Sequence, residues 1–255
     1  MGICTGRPKV PLSDLPENMV EVDLKDAAQF EKTVAVVAKA FAGTERTPPE
    51  LIMDWVLGPT LSKKWTDPRR AELMGWFQGV NLTIDLGSGN GTALAVRTKD
   101  GEGFGAAIQF RLYPNGYEED GFFANMSGAM KMGIPPWVQE PLKSEGGDGI
   151  GKRCESLGKE LHKKYGSEPH YYISVVAVDP ASQGQGLGGL LMRFVSKLAD
   201  EKGLMCYLEA AGEKNPAIYK RYGYEIVGKG EFSCKDDPDN SGSIPVAAMI
   251  RPAKK

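Results

Sequence analysis

Apolar and polar positions alternate in blocks along the chain, and one block stands out. Tyr171-Tyr172-Ile173-Ser174-Val175-Val176-Ala177-Val178 is β-branched and aromatic and apolar on both faces. Such a run predicts a central, buried strand, and Asp179-Pro180 stops it. Beyond it, Leu187, Leu190, Leu191, Phe194, Val195 and Leu198 recur at helical spacing. Lys202 and Gly203 close that helix, a cation in the last turn and a glycine just past it. Between strand and helix lies Gln183-Gly184-Gln185-Gly186-Leu187-Gly188-Gly189. The unit is therefore strand, glycine-rich turn, helix. The free N–H groups of a helix N-terminus favour an anion, typically phosphate. Glycines let the backbone approach it with no Cβ in the way.

The same patterns predict the other elements. Met19 to Leu24 alternates as a first strand. Ala27 to Ala42 has helical spacing, with Phe30, Val34, Val37, Ala38 and Phe41 on one face. A second helix runs from Pro49 to Leu57, Pro48-Pro49 fitting its first turn. Arg69 to Gly79 makes a third, whose Leu73, Trp76, Phe77 and Val80 read as core rather than as acceptor-site lining. Strands near 81–86, 92–98 and 104–112 form a meander, turned at Asn90-Gly91 and Asp100-Gly101. Glu155 to Tyr165 is a charged helix. After the central unit come a strand over Leu204–Ala210, a short helix over Pro216–Tyr222, a strand from Tyr224 to Cys234, an acidic loop Asp236–Asp239 and a last strand Ile244–Ile250. Residues 1–18 read as a loose arm, and 19–252 as one α/β domain, of the α+β kind, with helices on both faces of a mixed sheet. The stretch 113–167 reads as an insertion and a candidate acceptor lid.

Four short motifs then fall in one order. Gln183-x-x-Gly186-x-Gly188 resembles the pyrophosphate loop of the GNAT (GCN5-related N-acetyltransferase) superfamily. Pro169 to Ile173 is similar to the start of that family's central strand, and Tyr207-Leu208-Glu209-Ala210 to its next strand. Asn215-x-x-x-Tyr219-x-x-x-Gly223-Tyr224 resembles its asparagine-to-glycine segment, and Met249-Ile250-Arg251 its last strand. The nearest flavour is the puromycin-acetyltransferase-like branch. The resemblance spans Pro169 to Pro252. It departs from the pattern at Lys220, where Glu is usual, and at Tyr224, where Phe is usual. It implies a mostly antiparallel sheet splayed at the central strand, and transfer of acetyl from acetyl-CoA to an amine, here a small molecule.

The implied site follows residue by residue. Backbone amides of Gln183, Gly184, Gln185, Gly186, Leu187, Gly188 and Gly189 would hold the pyrophosphate. Backbone groups of Val176 and Val178 would pair with the pantetheine arm as an added strand does. Tyr219 is the candidate general acid toward the coenzyme A sulfur, and Glu209 a candidate base, with a water relay as the alternative. Asn215 either binds the pantetheine or caps the short helix.

Three glycine runs compete. Gly184-x-Gly186-x-x-Gly189 fits a dinucleotide pattern, with Glu209 near the distance expected for a ribose-binding acid. However, Asp179 to Gln183 separate it from the strand, where that fold has the first glycine follow almost directly. Thr83 to Gly91 looks like the S-adenosylmethionine motif of class I methyltransferases. Yet Thr92 to Thr98 is too short for the helix that motif needs, and the next apolar run ends at Tyr113-Pro114 with no acid. Gly146 to Lys152 almost spells a P-loop, but Arg153 stands where Ser or Thr should hold magnesium. It reads as a flexible loop before a helix. The rival readings are a methyltransferase and an acetyl-CoA-binding sensor without turnover.

Composition changes little. A formal net charge of −2 gives no reason to expect nucleic acid or an anionic membrane as partner, and no apolar run approaches a membrane span. Met1 to Gly6 resembles an N-myristoylation start, but Gly6 stands where Ser or Thr is required. Cys4, Cys154, Cys206 and Cys234 form no C-x-x-C, which suits a reduced, cytoplasmic compartment and argues against zinc. His162 and His170 are the only histidines, and His170 is expected to pack or hydrogen-bond at the strand's start rather than bind a metal.

Overall fold

The apolar run at the centre of the chain becomes the middle strand of a seven-stranded sheet in the computed structural model, which describes residues 12, 14–119, 127, 128 and 130–254. The strands are β1 (Met19–Glu21), β2 (Gly91–Arg97), β3 (Phe104–Tyr113), β4 (His170–Val178), β5 (Met205–Ala211), β6 (Glu225–Ser233) and β7 (Ser243–Arg251). Their spatial order is β1-β2-β3-β4-β5-β7-β6. Every neighbouring pair is antiparallel except β4 and β5. That parallel pairing runs only from His170↔Met205 to Ile173↔Leu208. Beyond it β4 stays with β3 and β5 with β7, so the two halves of the sheet part at Ser174 and Glu209. Ser174 is the extra residue of a β-bulge, since the register passes from Gln109↔Val175 to Phe110↔Ile173. A bulge bends and twists its strand, and here it sits where the separation begins.

The helices are α1 (Ala27–Ala42), α2 (Leu51–Lys64), α3 (Asp67–Gly87), α4 (Asp148–Glu155), α5 (Glu160–Tyr165), α6 (Leu187–Glu201) and α7 (Asn215–Lys220). On one face of the sheet α6 buries Leu191, Met192, Val195 and Ala199 against Tyr171, Ile173, Leu208 and Ala210. On the other, α1 and α3 bury Phe30, Val36, Val37 and Leu82 against Ala93, Ala95, Ala107, Val175 and Ala177. A third cluster joins α2, α3 and α4 to Phe232, Ile244 and Val246 at the β6–β7 edge. No helix among the described residues is long and apolar enough to cross a membrane.

Most expected elements are present, with five corrections. The strand expected near 81–86 is the last part of α3, which extends the helix expected over Arg69–Gly79 to Gly87. The β-branched Thr83 and Ile84 suggested a strand. In the helix the Thr83 hydroxyl instead donates to the Gly79 carbonyl at 2.7 Å, and burial at Leu73, Met74, Gln78, Leu82 and Thr83 keeps helical spacing. This removes the strand a methyltransferase motif requires, and Asn90-Gly91 becomes the turn from α3 into β2. The turn at Asp100-Gly101 does join two strands, with Gly101 at φ 75°. The second helix runs to Lys64 rather than Leu57, kinked at Gly58. The charged helix over Glu155–Tyr165 is two helices, α4 and α5, broken around Ser156–Lys159. β1 ends at Glu21 rather than Leu24. The P-loop-like run is not the flexible loop expected before a helix: Lys143–Gly147 form a π-helical turn and Asp148–Lys152 already belong to α4, with no strand directly before them among the described residues. Its Gly149 leaves room for Asp239 and Arg153 and its Gly147 for the Trp137 backbone. Trp137 itself stacks on Phe77, 5.0 Å between centroids, which fixes the far part of the 113–167 stretch on α3. Residues 1–11 and 13 of the expected arm, including Cys4 and the Met1–Gly6 start, and 120–126 and 129 of the insertion, lie outside the described residues.

Candidate active site

The glycine loop emerges from β4 by a short turn at Pro180–Ser182 and opens α6. Gly184 and Gly186 take φ of 78° and 77°, a conformation that costs an L-residue roughly 1–2 kcal/mol. A Cβ on either would meet nothing within 4 Å, so the space above the loop is open. Gly186 is the N-cap of α6, and no side chain caps the helix. The first N–H groups of α6 therefore point outward with no intrahelical partner. Gly188 and Gly189 serve packing: a Cβ on Gly188 would stand 3.2 Å from Val178, and one on Gly189 would stand 2.9 Å from the Tyr222 hydroxyl. Beside the loop, the edge of β4 that faces β5 is unpaired from Ser174 to Val178 among the described residues. A helix N-terminus that favours an anion thus adjoins an open strand edge that can take an extended arm. Val176 and Val178 lie on this stretch.

Glu209 and Tyr207 share the β5 face turned away from α6, because side chains alternate along a strand. The Tyr207 hydroxyl donates to Glu209 Oε1 at 2.9 Å. Burial pushes the Glu209 carboxyl up to about 6, against the lowering effect of the Tyr207 hydroxyl and the His162 backbone amide. At neutral pH the group is ionised yet close to its titration, the condition for a general base. His162 stacks on Tyr207 at 4.7 Å, and its Nε2 lies 2.8 Å from His170 Nε2. His170 Nδ1 lies 2.7 Å from the Glu168 carbonyl, which can only accept, so Nδ1 carries the proton. His170 Nε2 then accepts from His162 Nε2–H. Burial lowers both imidazoles, His162 to about 3, so the pair is neutral and structural, as expected for His170. Among the described residues no group of three or more His, Cys, Asp or Glu side chains could hold a metal.

Tyr219 lies on α7, half-buried against the core between β5 and β6. Its ring meets Tyr224 edge-on at 6.2 Å. Burial, and secondarily the Glu50 carboxylate, push its hydroxyl up to about 12. Glu50 was not anticipated. It is the N-cap of α2, accepts from the Met53 amide at 2.9 Å, and is itself raised by burial. Asn215 is the first residue of α7, whose cap position is Lys214, so the capping role is corrected. Asp85, singled out for the methyltransferase motif, instead accepts from the Ser174 hydroxyl at 2.9 Å, at the bulge.

Residues 147–226 match the family model described as the acetyltransferase (GNAT) domain. The stretch from α4 to the start of β6 therefore resembles a GNAT acetyltransferase domain. The match takes in β4, the glycine loop, α6, β5 and α7, the parts that form the open edge and the uncapped helix N-terminus. Two solved structures share the fold. One, described as histone acetyltransferase HPA2 and related acetyltransferase from Corynebacterium glutamicum, has 19% identity and a TM-score of 0.52, over 93% of this chain and 97% of that one. The other, arylalkylamine N-acetyltransferase 2 from Aedes aegypti, has 10% identity and a TM-score of 0.50, over 93% of this chain and all of that one.

Proposed function

We propose that the protein is an acetyl-CoA-dependent N-acetyltransferase acting on a small-molecule amine in a reducing, cytoplasmic setting. Its motif sequence is nearest the puromycin-acetyltransferase-like branch. The observation that carries the reading is the junction of an uncapped α6 N-terminus, open at Gly184 and Gly186, with the unpaired edge of β4. The reducing setting is supported by Cys154, Cys206 and Cys234, which are all free. Burial pushes the first two up to about 12 and 11, leaving them inert thiols.

The coenzyme supplies an acetyl group activated as a thioester. Amides of Gln183–Gly189 hold its pyrophosphate, Val176 and Val178 align its arm, and Asn215 binds the pantetheine. A C–N bond to the amine forms and the C–S bond breaks. The nitrogen gives up one proton, which becomes acidic as the bond forms, and Glu209 takes it directly or through water. A carboxylic acid of about 6 is strong enough to pass that proton on to a thiolate, whose thiol has an ordinary value of about 8.5. Tyr219, whose hydroxyl burial pushes up to about 12, is the weaker acid of the two. Its contribution is then a hydrogen bond to the departing sulfur, with its own proton retained. That refines the general-acid role expected for it.

Two variants test this. kcat at saturating substrates should fall with acid below about pH 6, because the base works only when deprotonated. Glu209→Gln should abolish that limb and lower the plateau by about 100-fold or more. Tyr219→Phe should lower kcat by about 10- to 100-fold, the worth of one hydrogen bond to a charged group, and leave the limb in place. A limb that survives Glu209→Gln removes Glu209 from the mechanism. Full kcat in Tyr219→Phe, with chemistry rate-limiting, makes the tyrosine a packing residue.

A further inference from the structure

A set of polar side chains gathers on the sheet face opposite α6, at the level of the bulge. Gln109 belongs to this face, because its cross-strand partners Ala93 and Val175 both pack against α1 and α3. It is only 1% exposed, yet neither its side-chain nitrogen nor its oxygen has a partner among the described residues. Leaving a buried amide unpaired costs about 1–3 kcal/mol, so such a group calls for a partner that the described side chains do not supply. Gln78 on α3 repeats the feature: it is buried and its Oε1 is unpartnered among the described residues. It lies two turns before Asp85 on the same helix. Asp85 reaches from the end of α3 to the Ser174 hydroxyl, which also lies 3.3 Å from the Gln109 carbonyl oxygen. Tyr172, the register partner of Tyr207, completes the set. Burial first, then the charges of Glu209 and Asp85 among others, raise its hydroxyl well above the usual value. Tyr172, Ser174, Asp85 and Glu209 are each only half-buried.

Resting on the acetyltransferase reading, we propose that Asp85, Ser174 and the Gln109 amide hold the acceptor, and that it is a small polar amine with a hydroxyl or similar group near its nitrogen. A carboxylate matches an ammonium. The amide offers a donor and an acceptor to a hydroxyl beside it, and binding would satisfy the atoms that stand unpaired. Glu209 stands across the splay from Ser174 and would take the proton, directly or through water. Asp85, Gln109 and Ser174 come from three elements, two of them outside residues 147–226, so specificity here is carried by the less general half of the chain.

Steady-state kinetics at saturating acetyl-CoA, with ethanolamine, glucosamine, phenethylamine and a tripeptide with a free amino terminus, tests this. One of the first two should show the highest kcat/KM. Asp85→Asn and Gln109→Leu should each raise its KM about tenfold or more, with acetyl-CoA affinity by calorimetry unchanged. Gln109→Leu should also raise the melting temperature, since it removes an unpaired amide; a purely structural glutamine would not raise KM at the same time. Should Asp85→Asn fail to bind acetyl-CoA, Gln109→Leu decides alone. Preference for phenethylamine or the peptide, or an unchanged KM in Gln109→Leu, overturns the inference and leaves the acetyltransferase reading standing; turnover of none of the four by protein that binds acetyl-CoA overturns the inference and counts for the sensor without turnover. Failure of the wild type to bind acetyl-CoA removes that reading and the inference with it.

Discussion

Replacing Gly186 or Gly188 by glutamate is expected to abolish coenzyme binding in a protein that still folds. Gly186→Glu puts a side chain and a negative charge in the open space where the pyrophosphate is proposed to lie, and Gly188→Glu adds a negative charge to the first turn of the same uncapped helix N-terminus. The two positions separate charge from strain. Gly186 is at φ 77° in open space, so any side chain there carries about 1–2 kcal/mol of backbone strain with no clash. Gly188 is inside the helix, and its Cβ would press on Val178 at 3.2 Å. Gly186→Ala supplies the control, with the strain and without the charge. Calorimetric titration should give an acetyl-CoA Kd raised at least 100-fold in both glutamate variants, about 2.7 kcal/mol or more. Gly186→Ala should change it much less. Tight binding by both folded glutamate variants would reduce the loop to a turn.

The second large effect is on stability. Arg153 is fully buried and spends its whole guanidinium on partners: Asp237 at 2.6 Å, Asp239 at 2.7 Å, Ser241 at 3.2 Å, and the carbonyls of Val56 and Leu57 at 2.8 and 3.1 Å. It ties α2 at its Gly58 kink, α4 and the acidic loop after β6 into one body. A Cβ on Gly58 would strike the guanidinium, which explains the glycine. Arg153→Met strands two carboxylates and two carbonyls. Removing one partner of a buried ion pair costs about 3–5 kcal/mol, and a chain of this size loses roughly 2–4 °C per kcal/mol. Urea unfolding should show a loss within that range, with Arg153→Lys intermediate because it keeps the charge but not the fork. A loss below about 1 kcal/mol would mean that water replaces the network.

The parts of the site that could be read from sequence are those coded locally. The β4 run, the glycines and the α6 stripe sit side by side, and each has one physical reading. So do Tyr207 and Glu209, whose spacing of two already puts them on one strand face. What escaped was coded at a distance. Gln109, Asp85 and Ser174 meet only because β3, α3 and β4 are brought together by packing. The bulge at Ser174 also breaks the period of two, so a run apolar on both faces gave no hint of which side chains turn toward α3. Asp85 drew attention for the wrong reason. Its neighbours Thr83 and Ile84 favour strand by their branching, and the tertiary packing of Leu73, Met74 and Leu82 overrode that preference. Arg153 likewise looked like a flaw in a phosphate motif and is the centre of a buried network.

The central claim is that the loop and the open edge of β4 form an acetyl-CoA site, and a ligand-dependent melting shift tests it most directly. Acetyl-CoA at a hundredfold excess over its Kd should stabilise the native protein by about 2.7 kcal/mol, which corresponds to several degrees. S-adenosylmethionine and NAD at the same concentration should leave the melting temperature unchanged. A shift with either of those two and none with acetyl-CoA would contradict the account.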